Sequence, residues 1–282
     1  MIAILGGLGA AVAFAVATVC SARSSRMLGP APVLAWVMVV GLAVVAPFVL
    51  TGGVPPGLGR STVGWLLLAG AGNVAGLLCA YLGLRVGKVS VVAPIVSTEG
   101  AVAAVTAALA GERIGTGPAL ALVGIVVGVL LAAAAGREPA GGRSGVGRGV
   151  PFAAGAALLF GLSLYAAGRA SAVLPVAWVL LPARLIGVAA LAVPLAASGR
   201  LRLTRAAGPL VVAAGVGEVL GLAAFGLGAR HGIAVASVLA SQFAALAAVA
   251  AFLVFRERLS GRQLAGVSTI AVGVTALTAL QM

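Results

Sequence analysis

The sequence predicts an all-α integral membrane protein of about ten transmembrane helices, arranged as two inverted five-helix repeats. Three observations carry this. The 282 residues are 62% hydrophobic and 8% charged, with a mean hydropathy of +1.23. Soluble domains hold about 25% charged residues, so only a bilayer can solvate so much apolar surface. The apolar residues fall into runs of roughly 20, the length that crosses a hydrocarbon core as a helix. The two halves of the chain also match one another in sequence.

The runs predict spans over 2–21, 31–51, 62–84, 89–110, 118–136, 150–168, 172–197, 208–229, 233–255 and 261–280. Hydrocarbon satisfies no backbone group, so spans must be helices or a closed barrel. Barrel strands alternate apolar and polar residues, and "PALALVGIVVGVLLAAAAG" (118–136) does not. Abundant Gly and Ala suit close helix packing in lipid. The first run, Met1 to Cys20, has no Lys or Arg, so it reads as a span and not a cleaved signal. A Gly- and Arg-rich stretch, 137–149, reads as a connector. The chain then divides into a first repeat over 1–136 and a second over 150–282.

At an offset of 145, residues 69–88 and 214–233 share ten identities in twenty, among them Gly70/Gly215, Gly76/Gly221, Arg85/Arg230 and Gly87/Gly232. Chance in this composition gives about one in eight. The register continues to Glu112-Arg113 on Glu257-Arg258 and Gly128 on Gly273. Five spans per repeat is odd, so the second repeat enters from the opposite side. Transporters with this inverted architecture bind solute near the midplane, between the halves.

Net charge is +13, but no long basic face with interleaved aromatics exists, which argues against nucleic acid. The basic residues instead sort by side. Thirteen Lys and Arg fall in the joints after spans 1, 3, 5, 7 and 9, and four (Arg60, Arg113, Arg169, Arg230) after spans 2, 4, 6 and 8. Cytoplasmic loops carry the excess, which predicts extracytoplasmic termini in a multi-pass protein of the cell membrane. Cys20, Cys79 and His231 do not form a disulfide, metal or Cys-His framework. No Walker A loop, metal signature or nucleophile elbow appears, so neither a cofactor nor an enzyme activity is expected.

The stretches "GLRVGKVSVVAPI…GERIGTGPALALVGIVVGVLL" (83–131) and "GLGARHGIAVASVLAS…FRERLSGRQLAGVSTIAVGV" (226–274) resemble the drug/metabolite transporter superfamily, specifically its ten-helix proteins with two EamA-type domains. In that family the fourth span ends in a Gly-Glu-Arg-like turn, and a Gly-rich fifth span follows. The first span here lacks the Trp common in the family. The resemblance implies a small-molecule transporter with a central cavity that spans 3 and 8 help to line. Family members more often have cytoplasmic termini, against the charge count.

Charged groups at membrane depth are functional candidates by default. Glu99 falls midway along span 4, Glu218 along span 8 and Arg184 along span 7. The structural alternative is an ion pair between Arg184 and either glutamate. At offset 145 Glu218 corresponds to Asn73, while Ser97 and Thr98 correspond to Gln242 and Phe243. Ser, Thr and Gln equally serve helix–helix hydrogen bonding. Pro94 should kink span 4 before Glu99. Glu112-Arg113 and Glu257-Arg258 read as turns that cap adjoining helices, ahead of gating salt bridges. Trp36 and Trp178 read as packing or interface anchors, and Tyr81 and Tyr165 as belt or solute-contacting residues.

The functional expectation is a secondary transporter that exchanges access around a cavity lined by spans 1, 3, 4, 6, 8 and 9, with efflux ahead of uptake. Its candidate solute or ion site is Glu218, Glu99, Asn73, Arg184, Gln242, Ser97, Thr98 and Tyr81. Protons are the candidate coupling ion, and a homodimer is compatible with the sequence. A membrane scaffold or sensor is the rival reading. It accounts for the Ala/Gly packing but not for glutamates at midplane.

Overall fold

The computed structural model describes residues 1–86, 95–134, 149–243 and single helical positions between 246 and 280. The connector other than Gly149, Pro94, Glu257 and Arg258 lie outside these residues. The first repeat contributes α1 (Ile2–Leu28), α2 (Pro30–Gly52), α3 (Arg60–Val86), α4 (Glu99–Leu109) and α5 (Thr116–Ala134). The second contributes α6 (Val150–Ser171), α7 (Val176–Ala197), α8 (Gly208–Ala229) and α9 (Ile233–Ala240). Helices α1, α2, α3, α6, α7 and α8 are each long and apolar enough to cross a membrane, and α4 and α5 contain shorter apolar helical segments. Beyond α9, Gly273 lies against Ile125, and Leu280 against Gly117, so these two positions pack on α5.

Packing follows the sequence repeat. The largest interfaces are α1 with α8 and α3 with α6. The offset of 145 relates spans 1–4 to 6–9, so these interfaces are counterparts. The same relation links α4–α6 to α9–α1, and α2–α8 to α7–α3. Two interfaces map onto themselves, α2–α7 and α4–α9. All these pairs run between helices of opposite repeats, so the repeats are interleaved. Without a hydrophobic force between helices in lipid, such contacts rest on close van der Waals packing. The apolar side chains left outward, such as Leu50, Leu109 and Leu120, are 81%, 85% and 73% exposed. They suit hydrocarbon, not water.

Spans 4 and 9 differ from the sequence expectation of continuous helices. The chain turns at Ser97-Thr98 before α4, and at Ser241-Gln242 after α9. These turns overlap in the two repeats, since 97 plus the offset is 242. The local cause is side chain–backbone bonding that competes with the helix. Thr98 Oγ1 donates to Ile95 O at 2.7 Å, Ser241 Oγ to Val238 O at 2.8 Å and Gln242 Nε2 to Val238 O at 3.0 Å. Glu99 therefore begins a helix at membrane depth and does not sit midway along one.

Candidate functional site: a buried ion pair in the second repeat

One end of the bundle is tied together. Trp178 Nε1 donates to Gly53 O at 3.1 Å, joining the start of α7 to the α2–α3 joint. Arg230 donates through Nε to Ser171 O, and through Nη2 to Leu174 O at 2.9 Å. The guanidinium thus satisfies carbonyls at the C-terminus of α6, where a cation also complements the helix dipole. The Glu112 carboxylate accepts from Ile233 N and Ala234 N, both at 3.2 Å. It caps the first turn of α9 from 121 and 122 residues away. Trp36 is a packing residue of α2, and Tyr165 stacks edge-on against Trp65 at 5.7 Å. Glu112→Ala should lower stability by about 1–2 kcal/mol, a typical helix-cap loss, read by thermal unfolding in detergent.

Deeper in the bundle, Arg184 Nη1 and Glu218 Oε2 lie 3.0 Å apart. The arginine is 0% exposed, and the glutamate 14%. Sequence alone leaves the partner of Arg184 open between two glutamates, and the fold selects Glu218. Helix α7 carries irregularities on both sides of the arginine. Pro182 lies inside it, and a π turn spans Val188–Ala192. Such π turns recur at functional sites. Arg184 Nη1 also reaches Met38 Sδ at 3.4 Å, a weak acceptor. Its Nε and Nη2 have no hydrogen-bond partner.

Gly41 of α2 makes room for this guanidinium. A Cβ on it would stand 2.8 Å from Arg184 Cδ and 2.9 Å from Nε. Gly41→Ala should therefore displace the arginine and cost about 1–3 kcal/mol, as overpacking does. A thermal-unfolding series in detergent checks this.

A narrow cleft nearby is lined by Asn73, Ser163, Ser171, Leu180, Ala183 and Leu222 among others, but by neither Arg184 nor Glu218. Ala183 precedes Arg184, and Leu222 is one turn beyond Glu218. Ser163 Oγ is occupied, donating to Ala69 O at 2.7 Å. Asn73 Oδ1 and Ser171 Oγ are buried without partners. Tyr81, about two turns from Asn73 along α3, lies within electrostatic range of the Glu218 carboxylate. Of the sequence candidates, Arg184, Glu218, Asn73 and Tyr81 thus share one region.

The other four gather elsewhere. Ser97, Thr98, Glu99 and Gln242 lie at the turns of spans 4 and 9. There Ser237 Oγ donates to Gly100 O at 3.3 Å, and a Cβ on Gly100 would stand 2.5 Å from Ser237 O. Glu99 is 7% exposed and Gln242 2%. Gln242 Oε1 is buried without a partner. Among the described residues Arg184–Glu218 is the ion pair, and Glu99 has no cation within salt-bridge distance. Sequence reasoning missed Met38, Gly41, Ser163 and Ser171. Ser163, Ala167 and Ser171 recur every four residues, a polar and small stripe along one face of α6 that was there to be found.

The architecture defines a polytopic helical membrane protein whose repeats enclose a buried, charged, partly unsatisfied polar centre. Residues 1–134 match the model of the EamA-like transporter family. The chain is thus a multi-pass membrane protein whose first repeat is similar to that family of transporters. No curated protein matches the sequence. One solved crystal structure, titled only as that of a protein, shares the fold with a TM-score of 0.78. The two are 18% identical over 99% of this chain and 96% of the other.

Proposed function

We propose that the protein is a secondary transporter that moves a small metabolite or drug-like solute across the cytoplasmic membrane by alternating access, in the efflux direction. The observation that carries this reading is the Arg184–Glu218 pair, held at depth between helices of one repeat, with a cleft lined by unpartnered polar atoms and by its sequence neighbours Ala183 and Leu222. A scaffold gains nothing from such a centre, because a well-packed apolar substitute is as stable or more so. The repeats 1–136 and 150–282 would rock about it. The end tied by Trp178, Arg230 and Glu112 supports one closed gate. It is the arginine-poor end, so the charge rule puts the closed gate and the termini outside.

Glu218 would carry the coupling proton, with Glu99 as the second candidate. Proteoliposomes with a pH-sensitive dye inside test this against gradients of amino acids, amines, nucleobases and carboxylates. Wild type should move protons with one of these solutes. Glu218→Gln should abolish proton movement, and if both Glu218→Gln and Glu99→Gln leave its rate and pH dependence unchanged, neither glutamate couples. A sensor would bind solute without any flux.

A further inference from the structure

We propose that Arg184 anchors a carboxylate of the transported solute through its Nε and Nη2 edge. This rests on the transport reading above and names the chemical class of its solute. Nε and Nη2 form the side edge of the guanidinium, two parallel N–H donors spaced to match the two oxygens of a carboxylate. Both are buried and unpartnered, on a side chain that is 0% exposed. Such an arrangement is costly unless something occupies it in a working state, since buried donors without acceptors lose their full hydration. Glu218 engages only the other terminus, Nη1, so the fork is free while the ion pair stands. The α2 backbone at Gly41 packs against the Cδ–Nε side, so a carboxylate reaches this edge in a state in which α2 has moved away. Asn73 Oδ1 and Ser171 Oγ, also unpartnered, line the nearby cleft and supply polar contacts for the remainder of the solute.

Charge decides between oxyanions. Among the described residues, the charged and titratable groups that act on Glu218 are Arg184 from α7 and Tyr81 from α3. Empty, the pair is neutral. A carboxylate entering with one proton, which Glu218 accepts, leaves the site neutral again. A phosphate dianion would leave it negative in a low-dielectric interior, where an uncompensated charge is expensive. The solute class is therefore a monocarboxylate, carried with a proton.

The test is thermal unfolding of the purified protein in detergent, with acetate, lactate and benzoate, each paired with its amide, and with inorganic phosphate. At least one carboxylate should raise Tm by about 5 °C at a hundredfold excess over its Kd, while its amide and phosphate do not. The charge-neutral double variant Arg184→Gln/Glu218→Gln should lose the shift. Arg184→Lys, which keeps the charge and removes the fork, should weaken carboxylate binding about tenfold. The assignment is overturned if no carboxylate stabilises, if amide or phosphate does so equally, or if both variants keep the shift. A carboxylate that binds in this way without being carried into vesicles would overturn transport and leave the anchor standing. A neutral or cationic solute that is carried, with no carboxylate bound, would do the reverse.

Discussion

Arg184→Gln lowers the stability of the folded protein by about 3 kcal/mol, and adding Glu218→Gln returns most of the loss. The single change leaves a carboxylate at depth with no cation within reach among the described residues. Breaking a buried pair from one side typically costs about 3–5 kcal/mol. The low end applies because Glu218 is 14% exposed and can take up a proton. The double variant carries no charge to desolvate. Thermal unfolding of the three proteins in one detergent gives a double-mutant cycle. If the double variant is as unstable as the sum of both single changes, the two side chains act independently and the pair has no energetic meaning. The same double variant should be inactive in transport even though it folds, because the centre has lost both its anchor and its proton carrier.

Gly100→Val separates α4 from α9 and abolishes transport, with a stability loss of about 3 kcal/mol or more. A Cβ at this position would stand 2.5 Å from Ser237 O and from Ser241 Oγ. Neither atom can yield freely. One is helix backbone, and the other belongs to a hydroxyl already bonded to Val238 O. Overpacking by one or two methyl groups costs about 1–3 kcal/mol, and more where backbone must move. The effect should exceed that of Gly64→Val, since nothing lies within 4 Å of a Cβ on Gly64. Comparing the two variants by yield of monodisperse protein and by Tm separates the α4–α9 crossing from the general helix cost of losing a glycine. Equal behaviour would mean that the crossing is not a tight contact.

Much of this was legible in the sequence, for physical reasons that can be named. Hydrophobic length fixes where helices can lie, because lipid accepts no unsatisfied backbone. The offset of 145 anticipates the pairing of interfaces, since α1–α8 and α3–α6 are counterparts. It also marks Asn73 and Glu218 as related positions, and both border the same centre. The partner of Arg184 was not legible. Glu99 and Glu218 are each acids in apolar runs, and only the packing of α7 on α8 distinguishes them. The turns at Ser97-Thr98 and Ser241-Gln242 were hidden for another reason. Hydropathy averages over a window and does not see two residues whose side chains bond their own backbone. Their trace in the sequence is a polar pair in each of two apolar runs, one residue out of register at the offset of 145. The cap that Glu112 provides was half legible. The turn chemistry is local, but its target, the first turn of α9, is 121 residues away.

The most direct test of the account is solute-driven proton movement in proteoliposomes, wild type against Glu218→Gln, with Arg184→Gln/Glu218→Gln as the folded control. An inward carboxylate gradient should acidify the lumen with wild type, and with neither variant. Wild type that moves no solute or protons above empty vesicles, or Glu218→Gln that moves them at the wild-type rate, would contradict it.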